Sequence, residues 1–241
     1  MNALHIDLQL ALLRTYLRHN KTPEVVLLNL DSFSFETTKV GQIHDPALFL
    51  PHLSNTDLYR SLVKIDPVAR KWRYIPLYCF AVDDMRFTWT TGLLGLVGYM
   101  PPEDYVNGYN PQDKQWNEDF PRFQKSHPDG VRYQIEPEGV QCLREFAITC
   151  RQHGISLVLI YSPEYHDMQN LVRNRAEIFS NFERIRSEHN LELWDFSSSS
   201  LCTSTRYFYN SQHLNLIGAD LFSKEVGARL NASLSGSRVP R

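Results

Sequence analysis

Three places in this sequence hold residue types that could carry chemistry. Asp31 and Ser32 stand side by side after the apolar run Val25–Leu30. Glu164, Tyr165 and His166 follow a second apolar run that stops at Ser162-Pro163. Asn210 and His213 lie three apart in a short polar loop ahead of the last amphipathic stretch. Serine and histidine are the side chains of nucleophilic acyl chemistry, in which a base activates a hydroxyl. Clustered histidine, cysteine and carboxylate would instead point to a metal. Spacing argues against a metal: Glu164 and His166 are two apart, wrong for one helix face. The four cysteines, Cys79, Cys142, Cys150 and Cys202, form no Cys-x-x-Cys pair and have no histidine at zinc-ligand spacing. Cys142 and Cys150 fall eight residues apart in one predicted helix, about 12 Å by the helical rise, too far for a disulfide. They read as buried free thiols. No cofactor is expected.

Several elements must position these residues. Leu4–His19 reads as a helix, with Leu4, Leu8, Leu12 and Tyr16 recurring every fourth residue and Asn20 and Pro23 ending it. Glu24–Leu30 then reads as a strand buried on both faces. Regularity fades over residues 36–135, rich in proline and aromatics. That stretch is expected to be an ordered insertion or lid, with helices around 55–64 and 68–80 and a surface loop over 108–128. Alternation resumes with a helix over 136–153, capped by Gly154, and a second buried strand over 155–161. A long helix over 167–189, a third strand over 191–194 ending at Asp195, and a last helix over 216–234 complete the pattern.

Strand–helix alternation of this kind predicts an α/β fold, a parallel sheet with helices on both faces. In such sheets ligands gather beyond the carboxyl ends of the strands. Those ends hold Asp31 and Ser32, then 162–166, then Asp195 and the loop of His213. The expected organisation is a single domain over 1–234, with 36–135 as the insertion and 235–241 as a flexible tail.

Bulk properties exclude some functions. A net charge of -2 gives no general reason to expect nucleic acid or an anionic membrane as partner. The basic run Arg70-Lys71-Trp72-Arg73 is short and reads as a solvated face. No apolar run approaches the ~20 residues that span a bilayer, and residues 1–13 lack the basic start and cleavage site of a signal peptide.

The segment Asn210-x-x-His213-Leu214-Asn215-x-x-Gly218 resembles the last motif of the SGNH (GDSL-type) hydrolases, Asp-x-x-His followed by Leu-Asn-x-x-Gly and a closing helix. The strand ending in Tyr161-Ser162-Pro163-Glu164-Tyr165 is similar to the penultimate strand of bacterial envelope members. Gly108-Tyr109-Asn110-Pro111-Gln112-Asp113 is similar to a segment of theirs too. The C-terminal resemblance covers about residues 136–234. It implies a flavodoxin-like three-layer sheet and a serine esterase or O-acyltransferase acting on acylated carbohydrate, a cell-envelope polymer or a small ester. His213 would be the general base, oriented by Asn210 where the family has an acid. An amide orients the ring without adding charge, so either activity is weak, or Asp195 serves instead, or the site is inactive. Asp31, Glu164 and Tyr165 would bind substrate.

The family's Gly-Asp-Ser nucleophile block is missing from this sequence. The expectation is therefore that the fold is incomplete at its N-terminus, with a sheet edge left unpaired or covered by the insertion. A membrane anchor upstream would give a cell-envelope address. Leu30-Asp31-Ser32-Phe33 imitates the block and makes Ser32 an alternative nucleophile, but Leu30 replaces the glycine that a tight turn wants. The competing reading makes Asp31 a strand-end cap. A loop histidine capping the last helix is the competing reading of His213, and a polar helix entry is that of Glu164, Tyr165 and His166. Two functional classes stay open: the esterase or acyltransferase, and a non-catalytic module of the same fold binding a glycan or a protein.

Overall fold

Asn20 and Gly154 are helix stops because each resolves the open carbonyls at a C-terminus. The Asn20 N–H and side-chain amide both donate to Tyr16 O, at 2.9 and 3.0 Å. Gly154 turns at φ +68°, and the following Ile155 N–H returns to Cys150 O at 2.9 Å. These stops delimit α1 (Ile6–His19) and α5 (Pro137–Gln152) and release the chain into two strands. The computed structural model describes residues 4–39, 43, 49–75, 78, 93–98 and 113–236.

Between α1 and α5 run β1 (Val25–Leu30), α2 (Thr56–Ile65), α3 (Ala69–Tyr74) and α4 (Asp119–Ser126). After α5 come β2 (Ser156–Tyr161), α6 (His166–Leu171), α7 (Arg175–His189) and β3 (Glu192–Asp195). Two 3₁₀ turns and a small hairpin, β4 (Phe208–Asn210) with β5 (His213–Leu214), lead into α8 (Leu216–Gly236). The protein is mixed α/β, with a three-stranded parallel sheet in the order β1-β2-β3. The chain divides into two compact units: residues 1–103, 133–159 and 177–192, and residues 104–132, 160–176 and 193–241.

The first unit is held by α1, which packs on both α2 and α5. Leu8, Ala11, Phe49, Leu53, Leu58, Leu62, Ile65 and Ala69 form one buried cluster. Leu58 and Leu62 are wholly buried, each stabilising by roughly 2–3 kcal/mol. Asn55 starts α2 by accepting from the N–H groups of Asp57 and Leu58, at 3.0 and 3.1 Å. Ion pairs stitch α1 outward, Arg14 to Glu145 at 2.8 Å and Arg18 to Asp57 at 2.5 Å. Ser156 N–H donates to Glu24 O at 2.9 Å, tying the start of β2 to β1. In the second unit Phe196 N–H donates to Tyr161 O at 2.9 Å, continuing the end of β2 to β3.

Three sequence expectations change. β1 alternates instead of being buried throughout: Leu28 and Leu30 are buried while Leu27 and Asn29 are exposed. Successive side chains of a strand point to opposite faces, so one face of β1 is covered and the other is open at Leu27 and Asn29. The long helix over 167–189 is two helices, because Val172 leaves helical geometry to make a parallel bridge with Val131. Val131 N–H donates to Leu171 O, and Arg173 N–H donates to Val131 O, both at 2.8 Å. The expected surface loop over 108–128 contains α4, with Phe120 as its buried anchor. Residues 76–77 and 79–80 of the helix expected over 68–80 lie outside the described residues, as do 108–112.

Gly139, inside α5, is required by a neighbour. A Cβ there would meet Phe35 O at 2.0 Å, on the segment whose Phe35 ring packs on Phe182 at 4.8 Å. Glycine to alanine in a helix ordinarily stabilises by about 1 kcal/mol. Here the collision reverses the sign. Gly139→Ala is expected to destabilise by roughly 1–3 kcal/mol, read from the urea midpoint.

Candidate functional site

His213 sits where a short hairpin meets the last helix, and one amide oxygen fixes it there. Asn210 Oδ1 accepts from the backbone N–H of Gln212 at 3.1 Å and of His213 at 2.9 Å. Two backbone donors on one atom identify it as the oxygen of the amide. The His213 ring nitrogen Nδ1 lies 2.9 Å from the same atom. An amide oxygen only accepts, so Nδ1 carries the proton and Nε2 keeps its lone pair. Burial pushes the His213 pKa below the ordinary histidine value, so the ring is neutral at pH 7. The Tyr209 ring stacks on the imidazole at 5.4 Å with 15° between planes. Lys114 Nζ stands 5.7 Å from that tyrosine ring.

The residues after His213 hold the loop. Asn215 is buried and starts α8, its Oδ1 accepting from Gly218 N–H at 3.0 Å. Its side-chain amide donates to Arg206 O at 2.8 Å. Gly218 has no room for a Cβ, which would lie 2.2 Å from Tyr207 O. The Leu-Asn-x-x-Gly spacing is thus a clamp: a capping amide, then a glycine that lets the helix start lie on the 206–208 backbone.

The strand-end segment 162–166 joins the same unit. Tyr165 N–H donates to Ser211 O at 3.0 Å, inside the Asn210–His213 loop. The Tyr165 ring makes edge contacts with Trp116 at 4.9 Å, Phe120 at 5.6 Å and Phe208 at 6.3 Å. Glu164 points inward, 5% exposed, and accepts from Tyr161 Oη at 2.5 Å. Burial raises its pKa, while the Tyr161 bond and the Arg175 charge oppose that rise. Gln169 Nε2 donates to Glu164 O at 2.8 Å and to Ser197 O at 3.0 Å, pinning the turn to the chain after β3.

So Asn210, His213 and Tyr165 share one loop cluster, with Glu164 as an internal strut behind it. In this arrangement Glu164 would have to leave Tyr161 to touch a substrate. Asp195 is exposed and accepts from Ser197 N–H at 2.8 Å. No carboxylate among the described residues bonds the His213 ring. Asp31 and Ser32 belong to the first unit. Asp31 Oδ1 accepts from Phe33 N–H at 3.1 Å and Ser34 Oγ at 2.9 Å, a turn cap at the strand end. Ser32 is 2% exposed.

Comparison with protein-family models, curated proteins and solved structures gave no match. Among the described residues no three histidine, cysteine or carboxylate groups are placed to hold a metal. The thiols of Cys142 and Cys150 are both pushed up to about 11 by burial, which leaves them protonated and poorly nucleophilic at neutral pH. A cavity of about 380 Å³ in the first unit is lined by Asp7, Asp57, Glu138 and Glu145. Each of these carboxylates already has a partner, in Thr38, Arg18, Lys64 and Arg14 respectively.

The ring stack on Tyr209 and the strut Tyr161–Glu164 escape a motif search. Tyr209 lies one residue ahead of the motif, and a stacked ring leaves no spacing signature. Tyr161 and Glu164 are three apart at a strand end, where no periodic rule applies.

A histidine with a lowered folded pKa contributes its full stability above the unfolded value and loses it as pH falls through the folded one. Asn210→Asp would place a negative charge 2.9 Å from Nδ1. It should raise the His213 pKa by roughly one to two pH units, read from the imidazole resonances in an NMR titration. It should also shift the acid limb of stability accordingly.

Proposed function

We propose that this chain is an SGNH-like module acting on acyl esters of carbohydrate or a cell-envelope polymer, with His213 as the base. One observation carries the reading: a neutral imidazole whose Nδ1 proton is tied to Asn210 Oδ1 and whose Nε2 is left to accept. That tautomer is the one a histidine needs to take a proton from a hydroxyl and hand it to a leaving group. The finer fold belongs to the same reading. Three parallel strands adjacent in chain order match the run of consecutive neighbours that ends a flavodoxin-like sheet.

Asn210 does part of what an acid does. It fixes ring direction and tautomer. It adds no charge to stabilise the imidazolium, and in serine proteases the corresponding loss costs ~10⁴-fold in kcat. Ser32 is the serine of this sequence that follows an acid at a strand end, and its burial requires the turn to open before it could attack. Those two features favour a second reading, a binding module of the same fold in which the aromatic residues around Tyr165 contact a glycan or a protein.

A fluorophosphonate probe separates the two. Applied to the protein from its native host, it should label one serine, found by peptide mapping, and His213→Ala should abolish the label. Hydrolysis of an aryl acetate should fall roughly 10²–10⁴-fold in that variant. In the unaltered protein the rate should rise with pH through a midpoint below the ordinary histidine value. Absent labelling and turnover, with glycan binding retained, would make it the binding module.

A further inference from the structure

We propose that residues 68–75 and 93–98 of the first unit dock on an anionic lipid surface. Among the described residues, the most exposed large apolar side chains are concentrated there. Leu96 is 84% exposed, Val97 80%, Tyr74 70% and Leu93 58%, with Ile75 and Leu94 close behind. Residues this apolar rarely stay open to water without a partner.

The local geometry says what kind of partner. Leu93 to Gly98 are exposed at every position, and a Cβ built on Gly95 or Gly98 meets nothing within 4 Å. The segment is apolar all round, with no single apolar face. A protein groove matches a face; a fluid hydrocarbon layer accepts a protrusion from every side. The turn also answers some of its own backbone needs. Val97 N–H donates to Leu94 O and Gly98 N–H to Gly95 O, both at 3.1 Å. Internal bonds of this kind lower the cost of leaving water. In the sequence, 87–102 contains no Asp, Glu, Lys or Arg.

Charge complementarity selects the surface. Arg70, Lys71 and Arg73 are exposed on α3 beside Tyr74 and Ile75. No carboxylate among the described residues pairs with them. Their neighbours are rings: Arg73 lies 4.6 Å from the Tyr59 centroid and Lys71 5.0 Å from that of Tyr78. Three cations that no described carboxylate pairs, beside the open Tyr74 and Ile75, fit anionic headgroups above hydrocarbon. A net charge of -2 for the whole chain hides this local excess. The surface is independent of the acyl-ester reading.

Vesicle co-sedimentation of the full chain tests it. Vesicles of phosphatidylcholine with about 30% phosphatidylglycerol should retain the protein, and pure phosphatidylcholine should retain it weakly. Leu96→Asp with Val97→Asp should cut retention roughly tenfold or more, as should Arg70→Glu with Lys71→Glu and Arg73→Glu. These positions are exposed, and unchanged thermal melts confirm that the variants fold. High salt should weaken binding. Equal retention on both vesicle types overturns the anionic assignment. Failure to bind either, or binding indifferent to both sets of variants, overturns the proposal. Self-association removed by Leu96→Asp with Val97→Asp, without vesicle binding, would assign the surface to a second copy.

Discussion

A single acceptor atom, Asn210 Oδ1, organises the candidate site. It collects the N–H groups of Gln212 and His213 and the ring Nδ1, all within 3.1 Å. Turn geometry and side-chain tautomer are therefore not independent. Any change that pulls the oxygen from the two backbone groups also frees the imidazole to rotate. An aspartate would accept the same three bonds, so the loop shape tolerates either residue while the charge beside the ring differs. The structural and the electrostatic duties of an orienting acid are thus separable, and this chain retains the first.

The support behind that loop is built from burial. Glu164 is a carboxylate inside the second unit, kept there by the Tyr161 hydroxyl and the nearby Arg175 guanidinium. A buried acid is tolerated when hydrogen bonds and a cation offset its lost hydration. Gln169 then ties the Glu164 carbonyl to Ser197, and Tyr165 N–H reaches Ser211. A rigid turn at the end of one strand thereby steadies a loop nearly fifty residues further along the chain.

How much of this could be read in the sequence follows from which interactions are periodic. The helices α1 and α5 and the strand β2 were legible as elements, but the covered face of α1 was not: Tyr16 of the expected stripe is exposed, while Ile6, Leu10 and Leu13 are buried. The place of His213 ahead of a closing helix was legible too, since Asn215 and Gly218 answer local demands, a cap and a missing Cβ. The break between α6 and α7 was not. It is set by Val131, forty residues away, through a bridge that leaves Val172 looking like any helical valine. β1 looked two-sided because Leu27 is as apolar as Leu28, and only its exposure in the fold shows that Leu27 lies on an open face. Lone contacts such as Tyr209 on His213 have no period to detect.

The three described cysteines stand in different places and share one property. Cys150 and Cys202 are almost fully covered, 1% and 2% exposed, and Cys142 is partly so. A thiol reagent in solution meets these sulfurs only when the surrounding structure opens. Cys150 lies in the first unit and Cys202 in the second. Their alkylation rates are then two separate clocks, each timing the opening of its own half of the molecule. Equal rates would mean that the halves open as one. Unequal rates would give the order in which this protein comes apart, without any added label.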